Sequence, residues 1–168
     1  MIAYRAATPG DGAALAQMAA RSFTETFGSL YPASDLAHFL DTTFGAGLPS
    51  QLDDPAYTIR LATEDDRIIG FAKLGPVAFP GDWPAGATEL HQLYVLGGWH
   101  GEGVGPALLD WAIATARAAG HSELLLSVYI DNRRARRFYD RYGFEEIGRY
   151  EYRVGETIDD DRIMRLAL

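Results

Sequence analysis

His100-Gly101-Glu102-Gly103-Val104-Gly105-Pro106 is the stretch on which the fold reading turns. Upstream of it, Thr88 to Val95 has the length and alternation of a strand. Downstream, Leu109, Ala112, Ile113 and Ala116 recur at helical spacing until Gly120. Glycines placed between a strand and a helix let several backbone N–H groups face one anion, with the positive helix end behind them and no Cβ in the way. Pro106 suits a first helical turn, whose N–H lacks an intrahelical partner. Two familiar phosphate loops are excluded. A Walker loop needs Lys-Ser/Thr after its last glycine, where Pro106-Ala107 stands, and a dinucleotide fingerprint needs glycine or alanine at 106 or 108, occupied by Pro106 and Leu108. From these residues alone, a glycine-rich connection without a ligand remains an open alternative.

Working outward, residues 2 to 7 read as a first strand, and Thr8-Pro9 opens a helix carrying Leu15, Met18, Ala19, Ser22, Phe23 and Phe27 up to Gly28. A second helix is expected from Ala33 to Phe44, closed by Gly45, with a short one near Pro49 to Leu52. Thr58 to Leu61 and Ile68 to Phe71 flank the polar turn Glu64 to Arg67 as a hairpin. In the strand from Thr88, simple alternation puts Glu89, His91, Leu93 and Val95 on one face and Leu90, Gln92 and Tyr94 on the other. Ser122 to Tyr129 follows as an apolar strand, then a short helix from Asn132 to Tyr142 with Gly143 as its C-cap. Phe144 onward pairs with Arg162 to Leu166. This order predicts an α/β (α+β) fold with a mixed, mostly antiparallel central sheet flanked by helices, in one domain spanning residues 1–168.

Composition sets bounds on function. At 48% apolar and 23% charged, the 168 residues match an ordinary globular chain. Neither an apolar leader at Met1-Ile2-Ala3-Tyr4-Arg5 nor a run of about 18 apolar residues occurs, so a cytoplasmic protein without membrane partners is expected. The absence of cysteine rules out disulfides, thiolate zinc sites and a cysteine nucleophile. The four histidines are scattered, so no metal is expected. Fifteen basic against 23 acidic residues give a net charge of −8, which argues against nucleic acid and favours attraction of a cationic small molecule. Assembly as a homodimer stays open.

His100-x-x-Gly103-x-Gly105, preceded by Leu93-Tyr94-Val95, resembles the acetyl-CoA motif of the GNAT superfamily of N-acetyltransferases. Asn132, Ala135, Phe138-Tyr139 and Tyr142-Gly143-Phe144 resemble that family's second cofactor segment. Ser22 to Phe27, Glu89 to Val95 and Asp160 to Met164 resemble its bacterial PaiA branch, which is linked to polyamine acetylation. The resemblance implies acetyl-CoA as acetyl donor and a small amine as acceptor. It implies that Leu93, Tyr94 and Val95 meet the pantetheine arm, and that His100, Gly101, Glu102, Gly103, Val104, Gly105 and Pro106 meet the pyrophosphate, with Asn132 and Arg134 nearby. His100 departs from the family's usual Gln or Arg. Its backbone N–H is unaffected, but a side-chain contact to phosphate would become weaker or pH-dependent.

Acetyl transfer to an amine needs a neutral amine, a polarised thioester carbonyl and a proton for the departing thiolate. The resemblance gives Tyr139 the general-acid role; spacing alone fits a core tyrosine equally. Glu89 and His91 are candidate proton acceptors for the amine, or else a solvated strand end. Arg133, Arg136 and Arg137 share a helical face that faces either the cofactor's phosphates or solvent, with Asp140, Glu145 and Glu146 as partners. Phe23, Phe27 and Tyr31 fit either an acceptor wall or the core. The competing functions are a non-catalytic acyl-CoA sensor and an acetyltransferase for protein N-termini.

Overall fold

The computed structural model describes residues 1–168. Seven strands form one sheet: β1 (Ala3–Ala6), β2 (Thr58–Glu64), β3 (Arg67–Gly75), β4 (Ala87–Val95), β5 (Glu123–Tyr129), β6 (Glu145–Val154) and β7 (Thr157–Ala167). Their order is β1-β2-β3-β4-β5-β7-β6, and every pair is antiparallel except β4–β5. The expected mixed, mostly antiparallel sheet flanked by helices is therefore present. The β2–β3 hairpin closes through Asp65 and Asp66, both at positive φ, the mirror-image turn whose twist matches its strands.

Two apolar layers sandwich the sheet. On one side α4 (Val104–Ala118) and α5 (Arg133–Arg141) pack Leu108, Leu109, Ala112 and Tyr139 against Ile69, Leu124 and Leu126. On the other, α1 (Gly12–Phe27), α2 (Ala33–Phe39) and α3 (Leu48–Gln51) bury Leu15, Phe23, Phe39 and Leu48 against Leu61 and Phe71. The helix expected from Ala33 to Phe44 is not one α-helix. After Phe39 the chain runs as a π-helix over Leu40–Gly47 straight into α3. The wider turns keep both Phe39 and Phe44 in the apolar layer across five residues, where 3.6-residue spacing would rotate them apart. Similarly, Pro9 opens a 3-10 turn (Pro9–Asp11) held by Asp11 accepting from the Thr8 N–H, and α1 starts only at Gly12.

Strand β4 corrects the simple alternation. A bulge shifts its register so that Lys73 faces Gln92 while Leu74 faces Leu90, leaving His91 as the extra residue. Leu90, Leu93 and Val95 consequently pack on the α4 side, whereas Tyr94 packs on the α1 side. Glu89 and Leu93 thus do not share a face, because one added residue reverses the alternation beyond it.

Candidate active site

The bulge stands where β4 leaves β5. The two parallel strands pair only at Ala87–Glu123, Thr88–Leu124 and Glu89–Leu125; beyond these, β4 runs on to Val95 and β5 to Tyr129 without pairing. A bulge adds twist, and extra twist carries the end of β4 away from its neighbour. The resulting gap opens through the sheet into a cavity of about 820 Å³, a size suited to a small-molecule site. Leu126, Val128, Ala135, Phe138 and Tyr139 line it on the α4 side, and Phe79, Tyr150, Tyr152, Asp159 and Asp161 on the other.

At the mouth on the α4 side lies the glycine turn. Gly101 and Gly103 have φ of +88° and +81°, and the place a Cβ would take at either is open space. A left-handed Gly103 caps α4, leaving the amides of Gly101, Gly103, Val104 and Gly105 without partners in the protein. Two other amides of the motif are consumed: His100 N–H donates to Gly97 O at 3.2 Å and Glu102 N–H to Trp99 O at 3.3 Å. The Glu102 side chain is exposed and outside the cavity lining, and the Val104 side chain is buried in the core. The His100 ring turns inward. Its Nε2 donates to Val95 O at 2.8 Å, and Arg134 donates to Nδ1, so these two partners select the neutral Nε2–H tautomer.

Asn132 caps α5, its Oδ1 accepting from Ala135 N–H, and so aims the helix at the gap. Tyr139 is buried on the inner face of α5 among Phe138 and Phe144; its hydroxyl bonds to nothing in the protein and its ring lines the cavity. Burial pushes the phenol pKa well up, which keeps the proton on it. The arginine face differs from the expected one. Arg134, Arg137 and Arg141 line the cavity, while Arg136 is bonded to Glu146 and to the Ile130 carbonyl.

Glu89 and His91 both line the cavity despite the bulge, His91 Nδ1 standing 3.5 Å from Glu89 Oε1. Glu89 is buried, accepts from Ala78 N–H at 2.8 Å, and has its pKa raised to about 7 by burial. His91 Nε2 sits 2.8 Å from the Pro76 carbonyl, which can only accept, and burial lowers the ring to about 4. Of the two, Glu89 therefore has the basicity to exchange a proton near neutrality. Behind them lies Lys73, the sole lysine of the chain, buried and bonded to Gln51 Oε1 at 2.6 Å, with its pKa lowered to about 8 by burial.

Several cavity residues escape the sequence reading: Gln92, whose buried Oε1 lacks any partner, and the wall made by Tyr150, Tyr152, Asp159 and Asp161. Only the alternation Asp159, Asp161, Ile163 signals a strand face turned inward. Tyr31, expected as either acceptor wall or core, does both: it is buried, lines the cavity and donates its hydroxyl to Asp159.

Four unbonded amides at a helix N-terminus, two glycines that leave room above them, and arginines across the mouth fit a diphosphate. An apolar gap fits a narrow arm leading inward. No group of three or more His, Cys, Asp or Glu side chains is placed to hold a metal ion, and no helix is long and apolar enough to cross a membrane.

Comparison with known proteins shows the family. Residues 14–144 match the model of the acetyltransferase (GNAT) family. An uncharacterized N-acetyltransferase of Mycobacterium tuberculosis is 35% identical over 155 residues, covering 92% of this chain and 96% of that one. The aminoalkylphosphonate N-acetyltransferase of Salmonella typhimurium is 34% identical over 103 residues, 61% of this chain and 66% of that one. Among solved structures, the PaiA N-acetyltransferase of Thermoplasma acidophilum in complex with coenzyme A superposes with a TM-score of 0.81 at 21% identity, covering 100% of this chain and 99% of that one.

Proposed function

This chain belongs to the acetyltransferase (GNAT) family, and on that premise we propose that it moves the acetyl group of acetyl-CoA to the primary amine of a small cationic acceptor of the polyamine class. One observation carries the reading: the β4–β5 gap joins a set of free amides on one face of the sheet to three buried carboxylates, Glu89, Asp159 and Asp161, on the other. Acetyl-CoA, when bound, supplies an activated thioester.

The chain's own residues do the rest. The amides of Gly101, Gly103, Val104 and Gly105 bind the diphosphate, and the dipole of α4 adds to their field. Arg134, Arg137 and Arg141 add positive charge on the cofactor side. Leu93 and Val95 line the path inward, and Gln92 Oε1 is free to accept an amide or ammonium hydrogen. Glu89 takes a proton from the incoming ammonium, leaving a neutral nucleophile; His91, held neutral beside it, restricts its orientation. Tyr139 holds its proton and delivers it from Oη to the departing thiolate sulfur.

Buried carboxylates in the acceptor half favour a small cation over a protein N-terminus, and over the phosphonate-bearing amine that the Salmonella relative's name describes. Incubating the protein with acetyl-CoA and a panel of diamines, monoamines, aminoalkylphosphonates and N-terminal peptides, with thiol release followed, tests this. Preference for diamines is expected. Turnover confined to the phosphonates or the peptides would overturn the acceptor assignment.

A further inference from the structure

The acceptor half of the cavity has a built wall. In the β6–β7 hairpin Tyr150 stands opposite Asp161 and Tyr152 opposite Asp159, a two-by-two patch on one face of the sheet. Beneath it Ile163 packs with Phe79 and Leu125, so the patch rests on apolar support. Asp159 is 8% exposed and Asp161 is 7% exposed, and both line the cavity. Tyr31 donates its hydroxyl to Asp159.

Asp161 has no ion pair, and the Ser127 hydroxyl is the one side-chain donor near it. Of the four arginines on its own hairpin, Arg149 and Arg162 are bonded to Asp160, whose side chain leaves by the opposite face, Arg153 pairs with Glu151 and Arg165 with Glu145. Burial raises the Asp161 carboxyl to about 7; the nearby Ser127 hydroxyl opposes that rise and Asp159 and Asp160 add to it. A carboxylate withdrawn from water beside another carboxylate is costly unless a cation joins it. No side chain of the protein forms an ion pair with it, and Asp161 lines the cavity.

Glu89 lies at the other end of this half. In the sheet it is level with Leu125, and Asp161 is level with Tyr129, four residues farther along β5; about 13 Å along the strand and two strand spacings across place the two backbones roughly 16 Å apart. Tyr150 lies between them: its phenol is pushed up by burial first and then by both Glu89 and Asp161. Two carboxylates that converge on one cavity, with aromatic rings along the way, match a short alkyl chain bearing an ammonium at each end.

We propose that Asp161, backed by Asp159 and flanked by Tyr150 and Tyr152, binds the non-reacting ammonium of a diamine acceptor while Glu89 serves the amine that is acetylated. The assignment rests on the acetyl-transfer reading above. It makes Asp161 a residue that selects diamines over monoamines.

The test compares a four-carbon diamine with butylamine as acceptors for the wild type, Asp161→Asn and Asp159→Asn. Asp161→Asn is expected to lower kcat/KM for the diamine roughly 10- to 100-fold, the scale of a lost hydrogen bond to a charged group, and to change that for butylamine less than about twofold. An equal fall for both acceptors, or no fall for either, overturns the proposal. Calorimetry of diamine binding in the presence of coenzyme A separates the two readings. Diamine binding that Asp161→Asn abolishes, in a wild type that acetylates nothing, would refute acetyl transfer and leave the subsite standing. Diamine binding unchanged by Asp161→Asn would refute the subsite whatever the turnover.

Discussion

Replacing Tyr139 by Phe removes one oxygen from a buried ring and leaves the packing with Phe138 and Phe144 in place. That oxygen has no hydrogen-bond partner in the protein, so its loss strands no buried group, and stability should change by less than about 1 kcal/mol. Affinity for coenzyme A should also persist, since the amides proposed to bind the diphosphate, those of Gly101, Gly103, Val104 and Gly105, are left unchanged. If the phenol donates the proton to the leaving thiolate, kcat should fall roughly 10²- to 10⁴-fold, which is about 3 to 5 kcal/mol of barrier. Because burial holds the proton on Tyr139, the wild type should show no loss of acid function through the neutral range. The assay is initial rate at saturating acetyl-CoA, beside thermal melts and calorimetric affinity for coenzyme A. A variant with wild-type kcat would refute the role, leaving water or the amine to supply the proton. A variant that loses stability in proportion to activity would mark Tyr139 as a packing residue.

Three further outcomes are expected. Gly103→Val should abolish coenzyme A binding by calorimetry, since a β-branched side chain at φ +81° is strained and would shift the turn that presents the free amides, whereas His100→Gln, whose ring faces Val95 O, should weaken it far less. The acidic limb of kcat/KM should rise through about pH 7 as Glu89 ionises; Lys73→Met removes the positive charge that favours that ionisation and should move the limb to higher pH, while Glu89→Gln should remove it. Asp161 has a folded pKa of about 7 against an ordinary 3.8, so the folded state keeps a proton that the unfolded chain releases, and wild-type stability should fall as pH rises across that window. Asp161→Asn should therefore melt higher than wild type above pH 7, by an amount on the order of a few kcal/mol at most, and show little difference near pH 4; equal melting at both pH values would show that the carboxylate is not desolvated.

The glycine turn was legible as a turn because three glycines break the strand from the helix and can take the positive φ found at Gly101 and Gly103, and Pro106 suits the first helical turn. The β2–β3 hairpin and α4 were legible for the same local reasons, a two-residue polar turn and a clean 3.6-residue period. What failed depended on registry. A single extra residue at His91 moves Leu93 and Val95 to the face opposite the one simple alternation gives them, and no local feature of Glu89 to Val95 announces the bulge. The π-helix over Leu40–Gly47 is hidden likewise, since Phe39 and Phe44 are drawn to one face by the tertiary packing of Phe23 and not by helical propensity. Asp159 and Asp161 carry no site role in the sequence, because the cavity that receives them is made by β4, β5 and Tyr31, all distant along the chain.

The most direct measurement is the structure of the protein with coenzyme A bound. The diphosphate should lie within hydrogen-bond distance of the amides of Gly101, Gly103, Val104 and Gly105, and the thiol should enter the gap between β4 and β5 beside the Tyr139 hydroxyl, with the Asp161 wall beyond it. Coenzyme A seated away from the α4 N-terminus, or a thiol outside the β4–β5 gap, would contradict a reaction cleft that runs through the sheet.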